Sequence, residues 1–280
     1  MKAIPKICAF VFIFIIIIFR PAMAESPMEG ALIQADQLAK SGQWDASEIL
    51  YLKAVNSPEV ENRIRAYHGL SDLYGRLRMS AKRKRAETQL QDEKTFLEKL
   101  VPVDESFYSK YEVKKSDSYS KLAQRFKVSL EWLKRANGSK LLKPGAVILV
   151  PKTPFRLEID KARKKLVWKR GDETLKEYTV TIGGKSSQTP EGEFEIVNKI
   201  KDPVWYRLKQ QFPAQSPGNM LGTRWMGLNI KGYGIHGTRF AGDIGAAVSH
   251  GCVRMRNRDV EEIFDWIPIG TKVAVKNVAV

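Results

Sequence analysis

Residues 235–259 read IHGTRFAGDIGAAVSHGCVRMRNRD, and the rest of the chain is organised around them. The stretch holds His236 and His250, two of three histidines, and Cys252, one of two cysteines. The other cysteine, Cys8, lies in an apolar leader, so a processed chain would carry a single thiol. A lone thiol in an exported protein pairs with another molecule, sits inert in a core, or acts as a nucleophile. The neighbours favour the nucleophile. A thiol reacts when a base takes its proton and a positive group stabilises the thiolate, and His236, His250 and Arg254 supply both. The separation of His236 from Cys252 is too long for one helical face, and a return loop between adjacent strands would bring the two together. Gly237, Gly242, Gly245 and Gly251 suit such a loop. Gly251 also suggests an exposed turn whose amides face an oxyanion.

Ser249-His250-Gly251-Cys252-Val253-Arg254-Met255, preceded by Ile235-His236-Gly237-Thr238, resembles the signature of the L,D-transpeptidases with a YkuD-type catalytic domain. Those enzymes cross-link bacterial peptidoglycan. Thr189-Pro190-Glu191-Gly192-Glu193-Phe194 and Leu221-Gly222-Thr223-Arg224-Trp225 match further pieces of the family, and the resemblance spans about Phe155 to Val280. It implies Cys252 as nucleophile, His236 as base, and His250 shaping the site and holding substrate. Backbone amides around Gly251 and Cys252 are the expected oxyanion donors. Arg254 would hold a substrate carboxylate or order the loop, and a guanidinium suits both tasks. Ser249, Gly237, Thr238 and Trp225 are the expected substrate-binding positions. The implied donor is a tetrapeptide stem whose third residue is joined through its L-centre to D-alanine. Attack releases D-alanine, and the amine of a second stem resolves the thioester to a 3-3 cross-link. Thiol, imidazole and amides suffice for this chemistry, so no cofactor or metal is expected. Two other readings compete: a carboxypeptidase that uses water as acceptor, and a non-catalytic wall-binding scaffold.

Upstream, residues 111–152 follow the order strand, helix, helix, strand, with a Leu141-Leu142-Lys143-Pro144-Gly145 turn. This pattern is similar to a LysM domain, which implies binding of glycans that contain N-acetylglucosamine. Ser116-Asp117-Ser118 stands where the family usually has Gly-Asp-Thr. Residues 31–100 carry helical spacing, and Ser47 and Ala81 recur at a tetratricopeptide period as small positions where two helices would pack. The expectation is a helical hairpin or three-helix segment leaning on its neighbours. It contains Arg76, Arg78 and Lys82-Arg83-Lys84-Arg85, read either as a solvated face or as a patch for anionic wall polymer or a membrane surface. His68 is expected to be structural.

Residues 1–24 read as an export signal: Lys2 and Lys6, an apolar run from Ile7 to Phe19, then Ala22-Met23-Ala24. An uncleaved anchor is the alternative. Either places the bulk outside the cytoplasm, in the periplasm or cell wall. The net charge of +16 over 280 residues is therefore assigned to wall partners, not nucleic acid. Past Phe155 the period switches to short alternating strands with turn signals, as in Leu157 and Ile159 or Tyr178, Val180 and Ile182. Asn257 is placed to cap a helix with the stripe Val260, Ile263, Phe264, Ile267. The insert 201–218, with Trp205, Tyr206 and Phe212, would form a lid. The fold expected is multidomain α+β: a signal at 1–24, a helical segment at 25–105, a βααβ LysM domain at 109–152, and a mostly antiparallel β-sandwich catalytic domain at 155–280.

Overall fold

A computed structural model describes residues 27–138, 141–152, 154–207 and 210–278. The export-signal segment, with Cys8, lies outside the described residues. Among the described residues no helix is long and apolar enough to cross a membrane.

Four helices come first: α1 (Pro27–Lys40), α2 (Trp44–Ala54), α3 (Val60–Arg76) and α4 (Ser80–Leu100). On α3 the inward positions Val60, Arg63, Ala66, Leu70 and Leu73 follow helical spacing and are buried. Ser47 is fully buried and donates through its hydroxyl to the Ala35 carbonyl at 2.9 Å. Ala81, by contrast, is exposed, because α4 begins one residue earlier and its first turn projects into solvent; Ala86 fills the packing position instead. His68 is an exposed residue beside Asp72, 3.5 Å away.

The small module follows as β1 (Tyr108–Glu112), α5 (Tyr119–Phe126), α6 (Leu130–Ala136) and β2 (Val147–Pro151), with the two strands paired antiparallel. Ser118 and Ser129 cap the two helices, accepting from the Lys121 and Trp132 amides. Asp117 takes the Lys114 N–H and the Tyr111 hydroxyl, both at 2.8 Å, which ties down the loop where the family pattern departs.

The remainder is a sheet-rich unit: β3 (Phe155–Asp160), β4 (Lys165–Arg170), β5 (Glu173–Thr179), β6 (Ile182–Gly183), β7 (Gly192–Lys201), β8 (Trp205–Arg207), β9 (Gln210–Phe212), β10 (Arg224–Leu228), β11 (Gly234–His236), β12 (Ala247–Ser249), β13 (Val253–Arg254), α7 (Asn257–Phe264) and β14 (Lys272–Lys276). Eight strands form one sheet in the order β13-β11-β10-β7-β14-β3-β4-β5. Its pairings are mostly antiparallel; β14–β3 and β11–β13 are parallel. β3 reads Phe-Arg-Leu-Glu-Ile-Asp, and its Phe155, Leu157 and Ile159 turn into the core while the charged residues face out. Against the core face lie Val260, Ile263, Phe264 and Ile267 of and just beyond α7. Lys199 of β7 donates to the Phe264 and Ile267 carbonyls at the end of α7, and burial pulls its ammonium down to about 8.

The helical segment and the small module each have a cluster of their own, and the cluster under the sheet draws residues from all three units. Phe96 from α4 meets Trp168 edge-on at 6.0 Å, Trp168 meets Phe155 at 5.3 Å, and Phe155 stacks on Trp132 of α6 at 4.8 Å. Such pairs stabilise by about 0.5–1.5 kcal/mol each beyond their burial, so this aromatic seam holds the helical segment, the small module and the sheet as one body. Polar links accompany it: Arg135 pairs with Glu61, and Arg63 with Glu262.

Candidate active site

The parallel pairing of β11 with β13 sets Ile235 beside Val253 and His236 beside Arg254. Ile235 and Val253 point into the core. By alternation, Gly234, His236, Cys252 and Arg254 share the opposite face. The loop expected between adjacent strands is therefore present, and it carries the cysteine back to the histidine's side of the sheet.

The sulfur sits in the tip of the β10–β11 hairpin. Cys252 Sγ lies 3.5 Å from the Gly232 carbonyl, and the Gly234 backbone also bonds the thiol. Cys252 is half-buried and unpaired. Burial pushes its thiol up, against the pull of the Gly234 bond and of Arg254. His236 is almost fully buried, its Nδ1 2.6 Å from the Gly237 carbonyl and its ring stacked on Trp225 at 5.7 Å. Burial pulls its imidazole down to about 4, with the Arg254 charge adding to the shift and the Gly237 bond opposing it. At neutral pH the resting pair is thus neutral imidazole and neutral thiol. The Gly237 carbonyl at Nδ1 favours the tautomer that carries its proton there, and the Leu221 backbone bonds the ring as well.

The cysteine loop is built by its own motif. Ser249 donates to the Cys252 carbonyl at 2.6 Å and accepts from the Gly251 amide at 3.1 Å. The Gly251 N–H is thereby engaged within the loop, leaving the Cys252 N–H as the better candidate for an oxyanion. Gly251 has φ +106°, and a Cβ there would meet the Tyr233 ring at 2.5 Å, so only glycine fits. Ser249→Ala removes both bonds from a buried loop, which costs roughly 1–3 kcal/mol. The expected result is about tenfold slower turnover and a lower melting temperature, read by activity assay and thermal unfolding. Unchanged turnover would remove Ser249 from the site.

Arg254 is buried, 3.7 Å from Asp243 through one guanidinium nitrogen, and its Nε has no partner among the described residues. Its backbone exchanges two bonds of 2.9 Å with Thr181. Thr238 is buried and accepts the Phe240 amide at 3.1 Å, fixing the turn after β11. His250 is exposed beside the cysteine. Trp225 donates to Asn198 at 2.9 Å and serves as the wall on which His236 rests.

Asn257 does not cap α7; Arg256 holds the cap position, with no side-chain bond. Asn257 Oδ1 instead accepts the Thr223 amide at 3.3 Å and fills the space a Cβ would need at Gly222 and Gly237. It is a strut behind the histidine strand. The other parts missed by the sequence reading are Gly232, Tyr233 and Gly234, whose only cue is a glycine-rich turn directly before Ile235. The insert at 201–218 contains the β8–β9 pair, with Trp205 and Phe212 tilted together at 5.1 Å. Asn219 Nδ2 bonds the Pro203 carbonyl at 2.8 Å, and Arg239 reaches the Ser216 carbonyl at 2.5 Å, so the insert is tied to the loop that follows His236. Among the described residues no group of three His, Cys, Asp or Glu side chains is placed to hold a metal ion.

The family model of the L,D-transpeptidase catalytic domain, YkuD, matches residues 154–275, and that of the LysM domain matches residues 111–151. The YkuD protein of Bacillus subtilis, named as an L,D-transpeptidase, is 33% identical over 173 residues that cover 59% of this chain and 97% of that protein. The YkuD protein of Bacillus licheniformis is 34% identical over 176 residues, with the same two coverages. An NMR structure of the catalytic domain of the Enterococcus faecium L,D-transpeptidase (E. faecium) aligns at 22% identity and a TM-score of 0.37, covering 44% of this chain and 96% of that one. Such identity across nearly the whole length of these two relatives, in a chain that also carries a LysM domain, means that this protein belongs to the L,D-transpeptidase family.

Proposed function

We propose that the chain is a peptidoglycan L,D-transpeptidase that transfers an acyl group through Cys252 and forms 3-3 cross-links. The observation that carries this reading is the shared face of Cys252 and His236 at neighbouring strands, with Arg254 near enough to act on both. In the first half-reaction the thiol adds to the carbonyl joining the third residue to D-alanine, while His236 accepts the thiol proton. The Cys252 N–H faces the oxyanion. The C–N bond then breaks, His236 returns the proton to the departing D-alanine amine, and a thioester remains. In the second half the amine of another stem attacks the thioester, His236 takes its proton, and the thiol is regenerated. His250, exposed at the rim, and Arg254 hold the substrate, and the β8–β9 insert covers it.

The LysM domain binds glycan strands that contain N-acetylglucosamine and so keeps the enzyme on the wall, outside the cytoplasm. The basic turn between α3 and α4 supplies a second, charge-based contact with anionic polymer or membrane surface. On the first turns of α4, Lys82 and Arg83 are paired with Glu48 and Glu87, so Arg76, Arg78, Lys84 and Arg85 are the cations presented.

Intact-mass analysis of residues 25–280 with a disaccharide-tetrapeptide tests the reading. The expected result is a thioester adduct, released D-alanine and a cross-linked dimer. D-alanine without dimer would convert the assignment to a carboxypeptidase, and no adduct under any condition would overturn it in favour of a wall-binding scaffold.

A further inference from the structure

The face of the sheet that carries the catalytic pair does not end there. Following the strand registers from His236, the same face presents Trp225 on β10, Asn198 and then Glu195 on β7, Lys272 on β14 and Arg156 on β3. A bulge at Gly227/Leu228 restores the alternation along β7. At the far end this face forms the floor of a cleft of about 650 Å³, roofed by the α5–α6 turn of the LysM domain at Phe126, Lys127 and Val128. Four strand-to-strand steps separate β11 from β3. At about 4.8 Å per step, with the offset along β7, the cleft lies on the order of 20 Å from His236.

The charges in this cleft are only partly matched. Lys272 pairs with Glu195 at 2.7 Å and Arg156 with Glu158 at 2.8 Å. Lys127, Lys152 and Lys276 also line it and form no ion pair with a described carboxylate, while Glu193 is the single unmatched acid. Lys152 is held by the Ser106 carbonyl at 3.1 Å, so Lys127 and Lys276 are the two cations left beside Glu193, across a floor kept low by Ala274. The cleft offers one partly exposed aromatic, Phe126, so it lacks the flat stacking platform that sugar rings favour. The complementary ligand is an extended peptide with several carboxylates and a lone amine.

We propose that the cleft between the LysM α5–α6 turn and the outer face of the catalytic sheet is a second substrate-binding site, which holds a carboxylate-rich peptide stem of the same polymer. The inference rests on the transpeptidase reading for the identity of that polymer. The site lies at the opposite end of α5 from the Ser116–Ser118 loop, so a glycan on that loop leaves the cleft free. Holding a second stem here fixes a strand relative to Cys252 and raises the local concentration of the stem that reacts.

The test pairs two substrates with one variant. Lys127→Glu/Lys276→Glu changes two exposed side chains outside the catalytic machinery. With soluble disaccharide-tetrapeptide, turnover should match wild type; with polymeric peptidoglycan chains, KM should rise about tenfold with kcat unchanged. Equal losses on both substrates, or none on the polymer, would overturn the proposal. A binding arm uses the full chain carrying Cys252→Ala and needs no turnover. Stem-bearing glycan chains should bind about tenfold more weakly to the charge-reversed protein, and chains stripped of their stems should bind both proteins alike. If stripped chains bind wild type as tightly as stem-bearing ones, or only polyphosphate competes, the site is not for stems. A wild type that binds in this way yet never turns over the soluble substrate would refute the transpeptidase reading while leaving the second site standing.

Discussion

Replacing His236 with glutamine is expected to slow acyl transfer by about two to four orders of magnitude at pH 7, and replacing Cys252 with alanine to abolish it. The size follows from the resting state of the pair. Burial holds the His236 imidazole down to about 4 and pushes the Cys252 thiol up, so neither group is charged near neutrality. The thiol is not ionised in advance and needs the imidazole to take its proton as the carbon–sulfur bond forms. The sign of the pH dependence is then determined. The working form has a neutral histidine and a protonated thiol, so kcat/KM for the wild type should be flat from about pH 5 to 8 and fall as pH drops through about 4. Without the base, only the thiolate fraction reacts. The rate of His236→Gln should therefore climb about tenfold per pH unit toward the ionisation of the thiol. Steady-state kinetics of both proteins from about pH 3 to 9 provides the check. A wild-type limb near pH 6.5 would mean that His236 titrates as an ordinary histidine, and parallel profiles for the two proteins would remove it as the base.

The residues of this pair were legible in the sequence because they sit in short contiguous strings whose chemistry needs no fold to be recognised. The adjacency of their strands was legible too, since a separation that excludes one helix face leaves neighbouring strands. The supports were not. Asn257 follows a local capping rule that would place it at the start of α7, yet Gly222 and Gly237 leave a space that only the tertiary fold brings to it, and its oxygen goes there. Ala81 fits a repeat spacing, but spacing does not show where a helix starts, and the residue falls in the solvent-facing first turn of α4. The aromatic seam is scattered from Phe96 to Trp168 without period, so no window of sequence contains it. Architecture was recovered because alternation and helical spacing are local signals. Contacts between units are long-range and leave no such pattern.

Arg63 is the strongest case of that kind, and its loss should be the most destabilising single change. In sequence it is one more basic residue on a charged helix. In the fold it is fully buried, with both of its remaining faces committed: a two-bond fork to Glu93 at 2.8 Å, and Glu262 of α7 at 2.5 Å across 199 positions of chain. Its Nη1 also donates to the Ser57 and Pro58 carbonyls at 2.9 and 2.8 Å. Glu262, itself buried, takes Lys176 at 2.8 Å and the Tyr178 hydroxyl at 2.9 Å. Arg63→Met takes the guanidinium from two carboxylates, Glu93 and Glu262, and leaves two carbonyls without their side-chain donor. Removing one partner from a buried ion pair costs about 3–5 kcal/mol. For a cooperative unit of this size that corresponds to a fall of roughly 6–20 °C in melting temperature. The double variant Arg63→Met/Glu262→Leu removes both buried charges, and the surviving Glu93 and Lys176 are partly exposed and can reach water. It should recover the part of the loss that comes from the stranded Glu262 charge, while the Ser57 and Pro58 carbonyls and the Tyr178 hydroxyl stay without their partners. Urea unfolding of the wild type and both variants measures this. If the single and double variants lose the same stability, the contribution of Arg63 is packing alone. If the double variant recovers, the ion cluster is what couples the helical segment to α7, and through Asn257 at the start of that helix to the strand that carries His236.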